Sequence, residues 1–204
     1  MEEIMPETSS LTIPPNARRR LLDAALELFS RKGYAATSVR ELVEAAGVTK
    51  PVLYYYFKNK EGLYLTLMGD ALGDFHQVAE HALSAPGSVT ERIHGYCTSL
   101  LDIFVERLAT ARLIFAIYYG PPQGAPALDF EASFSTMLTH MEQLVAEGIS
   151  SGEFRPVNPS DTSWAIVSLL NTAMEEQLHQ PKEVRIDRAG LLRLLALLFE
   201  GIKR

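Results

Sequence analysis

The chain has 204 residues, of which 47% are hydrophobic and 22% charged, a balance that excludes a disordered or low-complexity protein and leaves enough length for a buried core. Its one cysteine, Cys97, excludes an internal disulfide and makes a reducing compartment, the cytoplasm, the expected location. Net charge is -6, but residues 16–60 hold nine Lys/Arg against four Asp/Glu and residues 61–204 ten against eighteen, so an acidic protein carries one basic region suited to phosphate.

The opening "MEEIMPETSS" is acidic and lacks the basic start and apolar run of a signal peptide. Residues 1–15 end in Pro14-Pro15 without a helical pattern and are expected to form a flexible arm. Asn16 then offers an N-cap to "ARRRLLDAALELFSRKG", where Leu21, Leu22, Ala25, Leu28 and Phe29 share a stripe and Gly33 is the stop. A short second helix follows in "TSVRELVEAAG", with Thr37 or Ser38 as cap and Gly47 as stop. Thr49 can cap a third, whose Pro51 suits a first turn because its missing N–H costs nothing there. Asn59 can cap a long fourth helix that runs to about Ser84.

Beyond it the 3.6-residue period predicts helices over 89–108, 110–118, 128–150, 160–179 and 187–202, separated by "APGS", "GPPQGAP", "SGEFRPVNP" and "HQPKE". No stretch alternates like a strand. The expectation is an all-α protein of about nine helices: a three-helix head at residues 16–62 and a larger helical body at 63–204. No apolar run reaches the roughly 20 residues of a membrane span, since Arg193 interrupts "LLRLLALLF".

The second and third helices are too short to be stable alone and are joined by a few residues around Gly47, the form of a helix-turn-helix. Three successive tyrosines in "KPVLYYYF" cannot share one packed face. With Leu53 at zero, Phe57 lies near about 40° and Tyr56 near about -60°, whereas Pro51, Tyr54 and Tyr55 fall between roughly 100° and 200°. Leu53, Tyr56 and Phe57 are therefore expected to pack with Leu28, Leu42 and Val48, leaving Tyr54 and Tyr55 facing outward.

The run "GYAATSVRELVEAAGVTKPVLYYYFKNKEGLY", preceded by "AALELFSRKG", resembles the DNA-binding domain of the TetR family of bacterial transcriptional regulators. Downstream, "EGISSGEFRP" is similar to a segment of that family's ligand-binding domains. Val43 stands where the family usually has alanine, and Pro51-Val52 where Gly-Thr is common, so no operator sequence carries over. The resemblance implies phosphate contacts from Ser38 and Thr49 at helix starts and from Lys60, base or thymine-methyl contacts from Lys50, Pro51 and Val52, and backbone contacts from Tyr54, Tyr55 and Arg40.

The resemblance also implies a repressor that binds a palindromic double-stranded DNA operator as a homodimer and is released by a small apolar or aromatic effector. The last two helices, "SWAIVSLLNTAMEEQL" and "LLRLLALLFEGI", have apolar stripes wide enough for a dimer interface. Tyr64, Met68, Tyr96, Leu100, Phe104, Phe115, Tyr118, Phe134, Met137, His140, Met141 and Trp164 are the aromatic, methionine and polar residues expected at an effector pocket, with ordinary core packing as the competing reading. An all-α ligand-binding or protein-interaction protein whose head does not bind DNA stays open as the alternative.

No metal, cofactor or enzymatic activity is expected. His94 and Cys97 are three apart but lack further ligands, and His76 and His81 are off the i, i+4 spacing. "GPPQGAP" lacks a following Gly-Lys-Ser/Thr, and no Ser/His/Asp set has a nucleophile-elbow context.

Overall fold

A computed structural model describes residues 13–122, 124–179 and 184–202; the expected arm at 1–15 lies mostly outside the described residues. Among the described residues nine helices follow in order: α1 (Ala17–Lys32), α2 (Val39–Ala46), α3 (Lys50–Phe57), α4 (Lys60–Leu83), α5 (Val89–Glu106), α6 (Leu108–Tyr118), α7 (Phe130–Ser150), α8 (Pro159–Glu176) and α9 (Arg188–Ile202). None is long and apolar enough to cross a membrane. The protein is all-α, as the period predicts.

Chain contacts divide it into two units. One gathers the described residues up to Met68 with Leu113–Pro126, and the other Gly69–Arg112 with the described residues from Ala127 onward. The sequence expectation divides head from body after residue 62, and it has no local signal for grouping Leu113–Pro126 with the first helices.

In the first unit, α1 packs on α2 and α3. Leu21, Ala24, Ala25, Leu28 and Phe29 are buried, while Leu22, expected on the same stripe, is only half-buried at its edge. Gly33 (φ 82°) and Gly47 (φ 59°) end α1 and α2 in the left-handed region, where a side chain is strained. Asn16 occupies its cap position, but its backbone is itself left-handed and its side chain makes no cap bond. Asn59 does cap α4, its Oδ1 accepting from the Gly62 N–H at 2.7 Å.

In the second unit, α7 packs on α8, α8 on α9, and α5 against all three. Glu153, in the loop after α7, accepts from the backbone N–H groups of Val89 (2.8 Å) and Thr90 (2.9 Å) and from the Thr90 hydroxyl (2.5 Å). Its carboxylate thus sits at the positive end of α5, in addition to the local Ser88–Glu91 capping box. The neighbouring Phe154 is fully buried and stacks on Phe199 with centroids 5.7 Å apart. Gly148 leaves it room: a Cβ there would stand 2.3 Å from the Phe154 ring.

Candidate nucleic-acid interface

Helices α2 and α3 have eight residues each, so neither is stable by hydrogen bonding alone. Burial supplies what is missing. Leu42, Val43 and Ala46 from α2 and Val52, Leu53 and Phe57 from α3 are all buried, with Val48 and Tyr56 half-buried beside them. At α2's C-terminus the Gly47 N–H donates to the Glu44 carbonyl and the Val48 N–H to that of Val43. Arg20, reaching from α1, donates to the Gly47 carbonyl at 3.2 Å. The Arg18 guanidinium lies 6.0 Å from the Phe57 ring centroid. The sequence signal for these arginines is only the basic run "RRR"; their positioning contacts are long-range and carry no local pattern.

Opposite the buried side, α3 presents Lys50, Pro51, Tyr54 and Tyr55 to solvent. Tyr54 is 47% exposed and Tyr55 64%, far from ordinary core burial, and Tyr55 meets Tyr56 edge-on with centroids 5.0 Å apart. Val52 corrects the sequence expectation. It lies about -100° from Leu53, some 40° beyond Tyr56 on the apolar flank, and at 1% exposure its side chain is a packing residue with no free surface for a base.

Thr49 stands at the N-cap of α3, exposed and without a side-chain cap bond, while its carbonyl accepts from the Val52 N–H at 3.1 Å and the Leu53 N–H at 3.3 Å. Ser38 is exposed too, but its hydroxyl donates to Glu41 at 2.8 Å and accepts from the Glu41 N–H in a capping box. Arg40 is exposed and donates to Glu44 at 2.7 Å, an i, i+4 pair with which a phosphate would compete. Lys60 is half-buried: its ammonium donates to the carbonyls of Tyr34 and Thr37, each at 3.0 Å, and sits 4.1 Å from the Tyr34 ring centroid. Two of its three N–H groups are thus engaged, and burial lowers its pKa.

Glu41 joins α1 to this surface. The hydrogen bond from Lys32 at 2.5 Å, followed by those from the Ser38 backbone and hydroxyl, holds its carboxyl down to about 2 from an ordinary 4.5. A depressed folded-state pKa means the stabilisation is present above 4.5 and is lost as pH falls from there towards 2. The melting-temperature difference between the native protein and Glu41→Gln should therefore narrow across that window, as followed by circular dichroism.

The residues expected at an effector pocket do not share one environment. Tyr64 and Met68 are fully buried in the first unit, with the Tyr64 ring edge-on to Tyr34 (5.1 Å) and Phe29 (5.9 Å). Phe115 is half-buried, and Tyr118, the last residue of α6, is 55% exposed. In the second unit Tyr96, Leu100, Phe104 and Met141 are buried and Phe134, Met137 and His140 half-buried. The Tyr96 hydroxyl lies 3.4 Å from His140 Nδ1. Burial lowers the His140 pKa, with Glu80 opposing and His76 reinforcing the shift. Trp164 is 51% exposed with its ring 5.4 Å from that of Phe134; it lies roughly 120° around α8 from the centre of the buried residues. Cys97 is buried and its thiol is pushed up to about 12, so it stays protonated and unreactive.

Residues 21–67, which contain the whole α2–α3 arrangement, match the family model described as bacterial regulatory proteins, tetR family. The chain is 26% identical over 182 residues to an uncharacterized HTH-type transcriptional regulator, YhgD, of Bacillus subtilis (strain 168), covering 87% of this chain and 93% of that one. It is 27% identical over 152 residues to the HTH-type transcriptional repressor KstR2 of Mycolicibacterium smegmatis (strain ATCC 700084 / mc(2)155), covering 74% and 73%. Its fold matches that of the solved SmeT–triclosan complex with a TM-score of 0.70 at 17% identity, over 92% of each chain.

Proposed function

Because this chain belongs to the TetR family of bacterial regulatory proteins, we propose that it is a cytoplasmic, homodimeric repressor that binds a palindromic operator and leaves it when a small apolar or aromatic effector binds the body. One observation carries the reading. Tyr54 and Tyr55 are held outward on a short helix whose opposite side, Val52, Leu53 and Phe57, is buried. Set beside Lys50 on a helix-turn-helix, these two outward rings suit a partner that covers them, and phosphate backbone flanking a major groove fits their hydroxyls and the neighbouring lysine.

In this reading residues 16–62 form the DNA-binding head and 63–204 the effector and dimer body. Thr49, Ser38, Arg40, Tyr54 and Tyr55 contact the sugar-phosphate backbone, and Lys50 and Pro51 face base edges. Lys60 offers a phosphate its remaining N–H, pre-positioned by the two carbonyls that hold it. Two heads related by a two-fold axis read half-sites about 34 Å apart or a multiple of it. Helix α4 carries Lys60 in its first turn and continues through the later residues, so it is the covalent route by which an effector's preference for one state reaches the head. The relatives that this chain resembles are transcriptional regulators, which favours this class over an enzyme. That the SmeT neighbour was solved with triclosan supports a small aromatic molecule as the effector class.

The test is protection of the DNA between this gene and its neighbours, followed by variants. Tyr55→Ala should weaken operator binding about tenfold or more with helix content unchanged, and Lys60→Met should lower the slope of log affinity against log salt by about one unit. Fluorescence anisotropy over a salt series reads both. Unaltered affinity in the tyrosine variant would remove α3 from the interface.

A further inference from the structure

The basic region of this acidic chain surrounds α3. Residues 16–60 hold nine Lys/Arg against four Asp/Glu, a net +5, whereas residues 61–204 hold ten against eighteen, a net -8. Lys50 and Lys58, at the two ends of α3, are exposed, and among the described residues neither ammonium has a hydrogen bond or an ion pair. Between them α3 exposes the rings of Tyr54 and Tyr55. Unpaired cations beside exposed rings suit a partner that carries acids and apolar groups together.

The chain that leads into α1 has that composition. Residues 1–12, outside the described residues, contain Glu2, Glu3 and Glu7 and no Lys or Arg, with Met1, Ile4 and Met5 beside the acids. They join the described chain next to the basic surface. Ile13 and Pro14 are half-buried and the Pro14 carbonyl accepts from the Ala17 N–H at 3.3 Å, so a packed turn leads into α1. Helix α1 then starts against α3: the Arg18 guanidinium lies 6.0 Å from the Phe57 ring centroid, and Arg20 donates to the carbonyl of Gly47, three residues before α3. Residues 2–12 can reach roughly 35 Å when extended, well beyond the roughly 12 Å length of a helix the size of α3. The body's negative charge repels such a segment, and the head's positive charge attracts it.

We propose that the acidic residues 1–12 dock on the basic surface around α3 of their own head, with Glu2, Glu3 and Glu7 against Lys50, Lys58 and the first arginines of α1, and that operator phosphate must displace them. The contact is autoinhibitory. Because it is tethered, the segment competes at an effective concentration that a free peptide would match only at about millimolar levels. Each of its exposed ion pairs is weak and screened by salt. Salt therefore weakens the inhibitor together with the DNA contacts, and operator affinity varies less with ionic strength than it would for a head without the segment. This rests on the DNA-binding reading above and adds to it a regulator carried by the same chain.

A triple variant of the full chain, Glu2→Gln with Glu3→Gln and Glu7→Gln, removes the charge and keeps the length. Its operator affinity should rise about tenfold at low salt. The gain should shrink as salt is raised, so that log affinity falls more steeply with log salt than it does for the native chain. Simple repulsion between the glutamates and DNA would give the same trend, so the docking itself is measured without DNA. A nitroxide on Ile4→Cys should broaden the α3 amide resonances of the free chain at low salt, and added salt or operator DNA should remove the broadening. Cys97 is buried, so the label goes to the new thiol. Operator affinity that is unchanged or lower in the triple variant, or α3 resonances that the nitroxide leaves sharp, overturns the proposal. If the native chain still protects its operator in that case, the regulator reading stands; if neither the native chain nor the triple variant protects any DNA, that reading falls as well.

Discussion

A Gly47→Val variant is expected to lose operator binding while the second unit keeps its melting transition. Gly47 ends α2 at φ 59°, where a β-branched residue costs about 1–2 kcal/mol. Its added Cβ would also fall 2.3 Å from Arg20 Nη2, and the arginine side chain can yield only by giving up its bond to the Gly47 carbonyl, a further loss of about 1 kcal/mol. Together, about 2–3 kcal/mol falls on two eight-residue helices that depend on this turn to stay against α1. Hydrogen exchange should show early loss of protection at α2 and α3 amides with α5, α7, α8 and α9 unaffected. Gly47→Asn tolerates the left-handed backbone better and should keep most of the protection, which separates the backbone effect from the loss of space.

Gly148→Val should be more damaging and should act on the other unit. The valine would overlap the Phe154 ring, whose Cδ2 would be only 2.3 Å from the new Cβ, and the ring is fully buried and already stacked on Phe199. Either the phenylalanine leaves its site, with a cost of about 3–5 kcal/mol comparable to truncating it, or α7 shifts away from the loop that holds Glu153 at the start of α5. Chemical denaturation monitored by circular dichroism should show a lower midpoint, and Phe154→Ala in the same assay should give a loss of similar size. A Gly148→Val protein with a native midpoint would mean that the loop after α7 adapts without using this packing.

Much of the site was legible because helices carry a fixed local period. The 100° step alone sends Tyr54 and Tyr55 away from Leu53 and Phe57, and the structure places them there at 47% and 64% exposure. The same step leaves Val52 at the margin of the apolar stripe, where the packing around it decides; read by resemblance as a base contact, it is buried. Asn16 and Thr49 show a similar limit. Their positions as caps follow from residue type, but whether the side chain bonds depends on its rotamer, and in neither does it.

The surroundings of the residues expected at an effector pocket were the least legible. Tyr64, Tyr96 and Trp164 are all aromatic residues on helical stripes, yet the first two are buried and the last is half in solvent, since composition does not say which stripe meets a neighbour. By itself the sequence determined the helices, the glycine stops of α1 and α2 and the outward side of α3, because each rests on residues within one or two turns of each other. Only the tertiary structure decided that Arg20 holds the Gly47 turn, that Lys60 is held by the carbonyls of Tyr34 and Thr37, and that Glu153 caps α5 across 64 residues of chain. Such contacts form when separate helices bury their apolar faces together, and local spacing carries no record of which distant residues that burial brings within hydrogen-bond reach.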